Sequence, residues 1–139
     1  MSRIKLQLPS AFSFQTQIPI RISDINYGNH VGNDAVLGLI HEARVQFLAA
    51  KGFSELNCGG VGLIMSDAGI EFKKEIFYGD VITAFVTTVD FTSIGFDLYY
   101  KLETNGKAAV LAKTGMVCYD YEKKKLAQVP QEVREKLSQ

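Results

Sequence analysis

The chain has 139 residues, with 15 Lys or Arg balancing 15 Asp or Glu for a formal charge of zero. That length supports one domain, 1–139, and a composition that is 47% hydrophobic and 22% charged excludes a disordered or collagen-like chain. The even charge balance, without any Lys/Arg tract, excludes the electrostatic footprint of a nucleic-acid binder.

The first ten residues lack a continuous apolar run and a small-residue cleavage pattern, so no targeting segment is expected. No apolar stretch approaches the roughly 18 to 20 residues of a membrane span, and a cytoplasmic location is expected. Phe14 to Arg21 alternates imperfectly and contains Pro19, which points to a strand near a sheet edge. Ser23 to Asn33 is a polar loop rich in Asn, Asp and Gly. A long helix follows, from Asp34 to Lys51, in which Val36, Ile40, Ala43, Phe47 and Ala50 keep the spacing of one buried face. Asn33 suits its N-cap, Asp34 the positive end of its dipole, Lys51 the negative end, and Gly52 its stop.

The remainder reads as strands. Val61 to Glu75 is long, with a bulge or bend expected at Gly69. Val81 to Phe91 and Phe96 to Glu103 are joined by a turn around Ser93 to Gly95. Asn105-Gly106 is a strong hairpin signal leading into Ala108 to Tyr121. Lys123 to Lys125 form a basic turn, and Pro130 opens a short helix with Val133 and Leu137 on one side. Strand, loop, long helix, then four strands in a meander imply an α+β domain whose antiparallel sheet wraps around a largely buried helix. Open sheet edges favour pairing with a second copy. Cys58 and Cys118 lack a CxxC partner, so they read as two buried free thiols, with one bridge as the alternative.

The chemistry concentrates in the loop Arg21-Ile22-Ser23-Asp24-Ile25-Asn26-Tyr27-Gly28-Asn29-His30-Val31-Gly32-Asn33. It gathers carboxylate, amide and imidazole groups ahead of a helix N-terminus. There, unpaired backbone N–H groups can hold an oxyanion. The bland alternative is a capped loop whose side chains only satisfy its own backbone.

Ser23-Asp24, His30-Val31-Gly32-Asn33 and His41-Glu42-Ala43-Arg44 resemble the hotdog-fold acyl-CoA thioesterases. The branch they resemble contains 4-hydroxybenzoyl-CoA thioesterase and the Tol-Pal-associated acyl-CoA thioesterases. That pattern is approximately S-D-x-D-x-x-G-H-V-N-N followed by E-x-A-R. Tyr78-Gly79-Asp80 resembles the family's entry into the next strand, and the likeness runs from Gln15 to Glu122. The resemblance implies a hotdog fold, hydrolysis of an acyl-CoA thioester, and a homodimer that pairs into a homotetramer. This chain departs from the pattern where the chemistry matters. The usual catalytic aspartate falls at Asn26, Gly28 stands one place early, and Gly32 replaces the first Asn of N-N. An amide cannot take a proton from water at neutral pH. A hotdog enoyl-CoA hydratase pattern, D-x-N-P-x-H, begins at Asp24-Ile25-Asn26 but lacks the Pro and meets His30 one residue late. A domain that binds acyl-CoA or acyl carrier protein without hydrolysis is the other alternative.

The missing carboxylate is sought first at Glu42. It lies on the helix stripe Ala35, Gly38, Leu39, Glu42, Val45, Gln46, Ala49, and some hotdog branches resemble this arrangement with a catalytic Glu on the helix. Gly38, one turn earlier, costs roughly 1 kcal/mol relative to Ala, which suggests close approach of a ligand or backbone. The alternative is that Glu42 pairs with a basic residue or accepts backbone hydrogen bonds at a subunit contact. Asp24 is second, with an Asx-type loop-fixing role as its alternative, and Asp67 on the long strand is third. Asn26 and His30 can assist by hydrogen bonding or proton transfer, and the Asn33 N–H is the oxyanion donor implied by the resemblance. Lys73 and Lys74 are the candidate contacts for CoA phosphates, with Lys123 to Lys125 as the other option and a solvated charged turn as the alternative for each. Phe91, Phe96, Tyr99 and Tyr100 are expected to be strand packing. No metal cluster or dinucleotide glycine motif is present, so no cofactor is expected.

Overall fold

The computed structural model describes residues 2–139. In chain order the elements are β1 (Phe14–Pro19), a 3-10 turn (Ile22–Asp24), α1 (Asn33–Ala50), β2 (Gly62–Phe72), β3 (Val81–Val89), β4 (Gly95–Thr104), β5 (Lys107–Asp120), β6 (Lys125–Leu126) and α2 (Gln131–Leu137). The strands form one antiparallel sheet in the order β1-β3-β4-β5-β2, with the short β6 on β5. The sheet wraps around α1, the hotdog arrangement expected from the sequence. Phe47 of α1 meets Phe14 of β1 edge-on at 5.6 Å between ring centroids. Ile40, Ala43, Phe47 and Leu48 are fully buried beneath Ile82, Val86, Leu98, Tyr100 and Leu102 of the sheet.

β3, β4 and β5 are a meander, but β2 is not part of it. It pairs with β5, so the chain must cross from one edge of the sheet to reach β3. The link 73–80 makes that crossing. The register shift in β2 falls between Met65 and Asp67 rather than at Gly69. There the Asp67 carboxylate folds onto the Gly115 N–H at 2.9 Å, at a glycine where a Cβ would stand 2.2 Å from the Asp67 oxygen. The Asn105-Gly106 turn forms as expected, with φ of 54° and 76°. β1 is an edge strand, and Val133 and Leu137 of α2 are buried.

Three expectations for α1 change. Gly32, not Asn33, is its N-cap. Ala50 is exposed, because the buried face turns through Leu39, Arg44 and Leu48 instead. The helix is not largely buried within one chain, since Leu37, Gly38, Glu42, Val45 and Ala49 all face outward. Cys58 and Cys118 are free and buried. Loss of hydration on burial pushes their thiols up, to about 12 and about 11. Among the described residues no helix is long and apolar enough to cross a membrane.

Candidate active site

The loop ahead of α1 is built by its own polar groups. Asp24 Oδ2 accepts the Arg21 N–H at 2.9 Å, and the Asp24 carbonyl accepts the Gly32 N–H at 3.3 Å. Asp24 is buried and fixes both ends of the turn, its carboxylate reaching back three residues as in a capping box rather than forward as in an Asx turn. Ile25 and Val31 bridge antiparallel, and the Asn26 N–H donates to the His30 carbonyl at 2.9 Å. Asn26 Oδ1 accepts the Gly28 N–H at 2.8 Å, and Asn29 takes a left-handed φ of 65° that asparagine tolerates. Asn26 is therefore engaged in shaping the turn.

His30 Nδ1 lies 3.0 Å from the Val31 carbonyl. A carbonyl only accepts, so Nδ1 is the donor in this contact. The first intrahelical bond runs from the Val36 N–H to the Gly32 carbonyl at 3.2 Å. The N–H groups of Asn33, Asp34 and Ala35 are left without an intrahelical acceptor at the positive end of an 18-residue helix.

Two concavities flank this helix start. One is a cleft of about 240 Å³ walled by His30, Asn33, Lys73, Lys74 and Glu75, with Val31, Val36, Phe72, Ile76 and Val110 as its apolar lining. The other is a groove of about 480 Å³ between β1, the 3-10 turn and α1, lined by Arg21, Asp24, Asp34, Gly38, Glu42 and Gln46 among others. The structure thus divides the residues expected to act together. His30, Asn33, Lys73 and Lys74 share the cleft, Asp24, Gly38 and Glu42 share the groove, and Asn26 lines neither.

Glu42 is exposed and has no basic partner among the described residues, its carboxylate accepting from Gln46 Nε2 at 2.7 Å. Among the described residues none comes within 4 Å of a Cβ built at Gly38, which would meet open space. Asp67 is tied to Lys113 at 3.0 Å and to the Gly115 N–H, away from both concavities. Against the opposing effect of partial burial, hydrogen bonds and charge from Asp67 and Asp97 hold the Lys113 ammonium above its ordinary value. Lys123 to Lys125 lie at a turn capped by the Asp120 carboxylate and line neither concavity. Within the cleft, Lys73 is drawn onto Glu71 at 2.8 Å, whereas Lys74 is in none of the ion pairs among the described residues.

Two features escaped the sequence reading. Arg44 of the E-x-A-R run is buried, with Nε on Glu55 and Nη1 on the Tyr100 hydroxyl at 3.3 Å. His41 joins the same carboxylate at 3.1 Å. Burial works to raise the Glu55 carboxyl, but the hydrogen bond and charge of Arg44, with help from His41, hold it below its ordinary value. The second feature is Glu75 in the cleft. Its signal was the apolar neighbour Ile76, which marks where the link dips back into the core.

Solved structures share this architecture. A 1,4-dihydroxy-2-naphthoyl-CoA thioesterase from Synechocystis superposes with a TM-score of 0.81 at 22% identity, covering 89% of this chain and 94% of its own. A DHNA-CoA thioesterase from Staphylococcus aureus gives 0.75 at 18% identity, over 82% and 78% of the two chains. A hypothetical protein from Aquifex aeolicus gives 0.83 at 24%, over 90% and 99%. At such identities the likeness speaks for the fold. No curated protein matches the sequence. Residues 20–137, from just after β1 through the loop, the whole cleft and α2, match the thioesterase-like superfamily, and the chain belongs to that superfamily of thioester hydrolases.

Proposed function

We propose that the chain hydrolyses acyl-CoA thioesters to the free acid and CoA in the cleft at the start of α1. The observation that carries this reading is the meeting of His30, Asn33 in the first turn of α1 and two lysines around one apolar-lined concavity. Water adds to the thioester carbon, and negative charge develops on the carbonyl oxygen, which the Asn33 N–H holds. The C–S bond then breaks. A thiolate whose acid has a pKa near 8.5 leaves without strong acid assistance. Lys74, in no ion pair among the described residues, receives a CoA phosphate, and Lys73 exchanges Glu71 for another.

Two carboxylates compete for the water. Glu42 follows Asn33 by nine residues, about 13 Å of helix rise, further than a glutamate side chain spans. It serves a thioester held at Asn33 only from a second copy of the chain. Glu75 lies within the cleft itself.

A second copy is part of the proposal. β2 is a terminal strand 11 residues long, with Ile64, Met65 and Phe72 exposed. A long apolar edge favours pairing, and Phe72 links it to the cleft. The homodimer forms along β2, and pairs of dimers form the homotetramer implied by the family resemblance. A cytoplasmic location belongs to the same reading, because CoA esters are its substrates. Acyl-chain preference is set by a panel of short, long and aromatic CoA esters followed by free-thiol release, with Glu42→Ala in parallel and the assembly weighed by analytical ultracentrifugation. Binding of every ester without thiol release refutes hydrolysis in favour of an acyl-binding module.

A further inference from the structure

We infer that Glu75 is the carboxylate that activates water in the cleft, the role that Asn26 cannot fill; this rests on the hydrolase reading above. The link 73–80 is pinned at two points. The N–H groups of Lys73 and Lys74 both donate to the Ala109 carbonyl, at 2.8 Å and 3.2 Å. The Val31 N–H donates to the Ile76 carbonyl at 2.8 Å, so the link runs directly beside the segment that carries His30 and leads into α1. Ile76 sinks into the core at 2% exposure, while Glu75, its neighbour, is exposed and lines the cleft together with His30 and Asn33.

None of the ion pairs among the described residues includes Glu75. Of the other candidate carboxylates, Asp24 and Glu42 line the groove and not the cleft, and Asp67 lines neither. The chemistry then closes within one concavity. Glu75 accepts a proton from water as the water oxygen bonds to the thioester carbon, and the carbonyl electron pair moves onto the oxygen held by Asn33. Collapse re-forms the C=O bond and expels the thiolate with the C–S electron pair. The proton on Glu75 passes to the thiolate or to solvent, which restores the carboxylate. His30, with Nδ1 fixed on the Val31 carbonyl, lines the same cleft.

The test is steady-state thiol release by the full chain and by Glu75→Gln, Glu75→Ala and Glu42→Ala, on whichever CoA ester the wild type turns over fastest. Removal of a general base predicts that kcat falls about 10²- to 10⁴-fold in Glu75→Gln while KM stays within about threefold. Added formate or acetate restores part of the rate in Glu75→Ala, where the carboxylate leaves a gap, and none in Glu75→Gln. A structural role does not give that rescue. A Glu75→Gln protein that keeps its rate within about threefold overturns the assignment and leaves hydrolysis standing. So does collapse of Glu42→Ala alone, which moves the base to the helix. No thiol release by wild type from any ester overturns the hydrolase reading itself.

Discussion

Cutting Glu55 back to alanine strands a buried cation. The Arg44 side chain is 7% exposed and Glu55 26%. In Glu55→Ala the guanidinium keeps only the Tyr100 hydroxyl at 3.3 Å. Removing one partner of a fully buried pair typically costs 3–5 kcal/mol, and because Glu55 retains some solvent the expected loss is about 2–3 kcal/mol. For a domain of this size that lowers Tm by roughly 6–9 °C. Arg44→Met should cost less, about 1 kcal/mol, because the freed carboxylate turns to water and His41, and the Tyr100 hydroxyl keeps Thr114 at 2.6 Å. The double variant should lose less than the sum of the two, with a coupling of about 1–2 kcal/mol. Urea and thermal unfolding at one fixed protein concentration measure all four proteins, since assembly shifts the midpoint with concentration. The pH dependence has a definite sign. The folded Glu55 carboxyl lies below its ordinary value of 4.5, so its contribution is complete above pH 4.5 and is lost as pH falls through the folded value. Glu55→Gln should flatten that part of the acid limb. An Arg44→Met protein less stable than Glu55→Ala, or an additive double variant, refutes the account.

Gly38→Ala removes a helix-interior glycine whose Cβ position is open, so it should stabilise an isolated chain by about 1 kcal/mol in urea. A loss instead means that a partner or ligand packs on that face. Both thiols should resist a thiol-reactive chromophore at pH 8 and react together on unfolding, since burial holds them at about 12 and about 11. Reaction of either in the native protein contradicts their placement. Lys74→Ala should raise KM roughly tenfold for a CoA ester, as loss of one charged contact implies, and leave a pantetheine thioester without nucleotide phosphates unaffected. An equal rise for both refutes a phosphate contact.

Much of the fold was legible because its signals are local. Val36, Ile40, Ala43 and Phe47 repeat at the helical period, and that places α1 to within one residue of Asn33–Ala50. Asn105-Gly106 suits positive φ at both positions, so the β4–β5 hairpin follows from two letters. The loop motif pointed to the helix start, and two of the site residues it suggested, His30 and Asn33, do line one cleft there. The N-cap was misplaced because Asn33 satisfies the usual preference, whereas Gly32 leaves the Asp34 carboxylate room: a Cβ there would come within 2.6 Å of it.

What the sequence determined by itself is therefore what depends on neighbours along the chain: element type, turn chemistry and the presence of a polar loop before a helix. The tertiary structure decided what meets across the chain. Pairing of β2 with β5 rather than β3 turns 73–80 into a crossing link, and only that crossing brings Glu75 beside His30. Arg44 finds Glu55 and Tyr100, residues 11 and 56 positions away, for which no local period exists. Asp24 and Glu42 fall into a groove separate from Asn33 because helix rise, not chemical type, sets how far apart two groups on α1 can act.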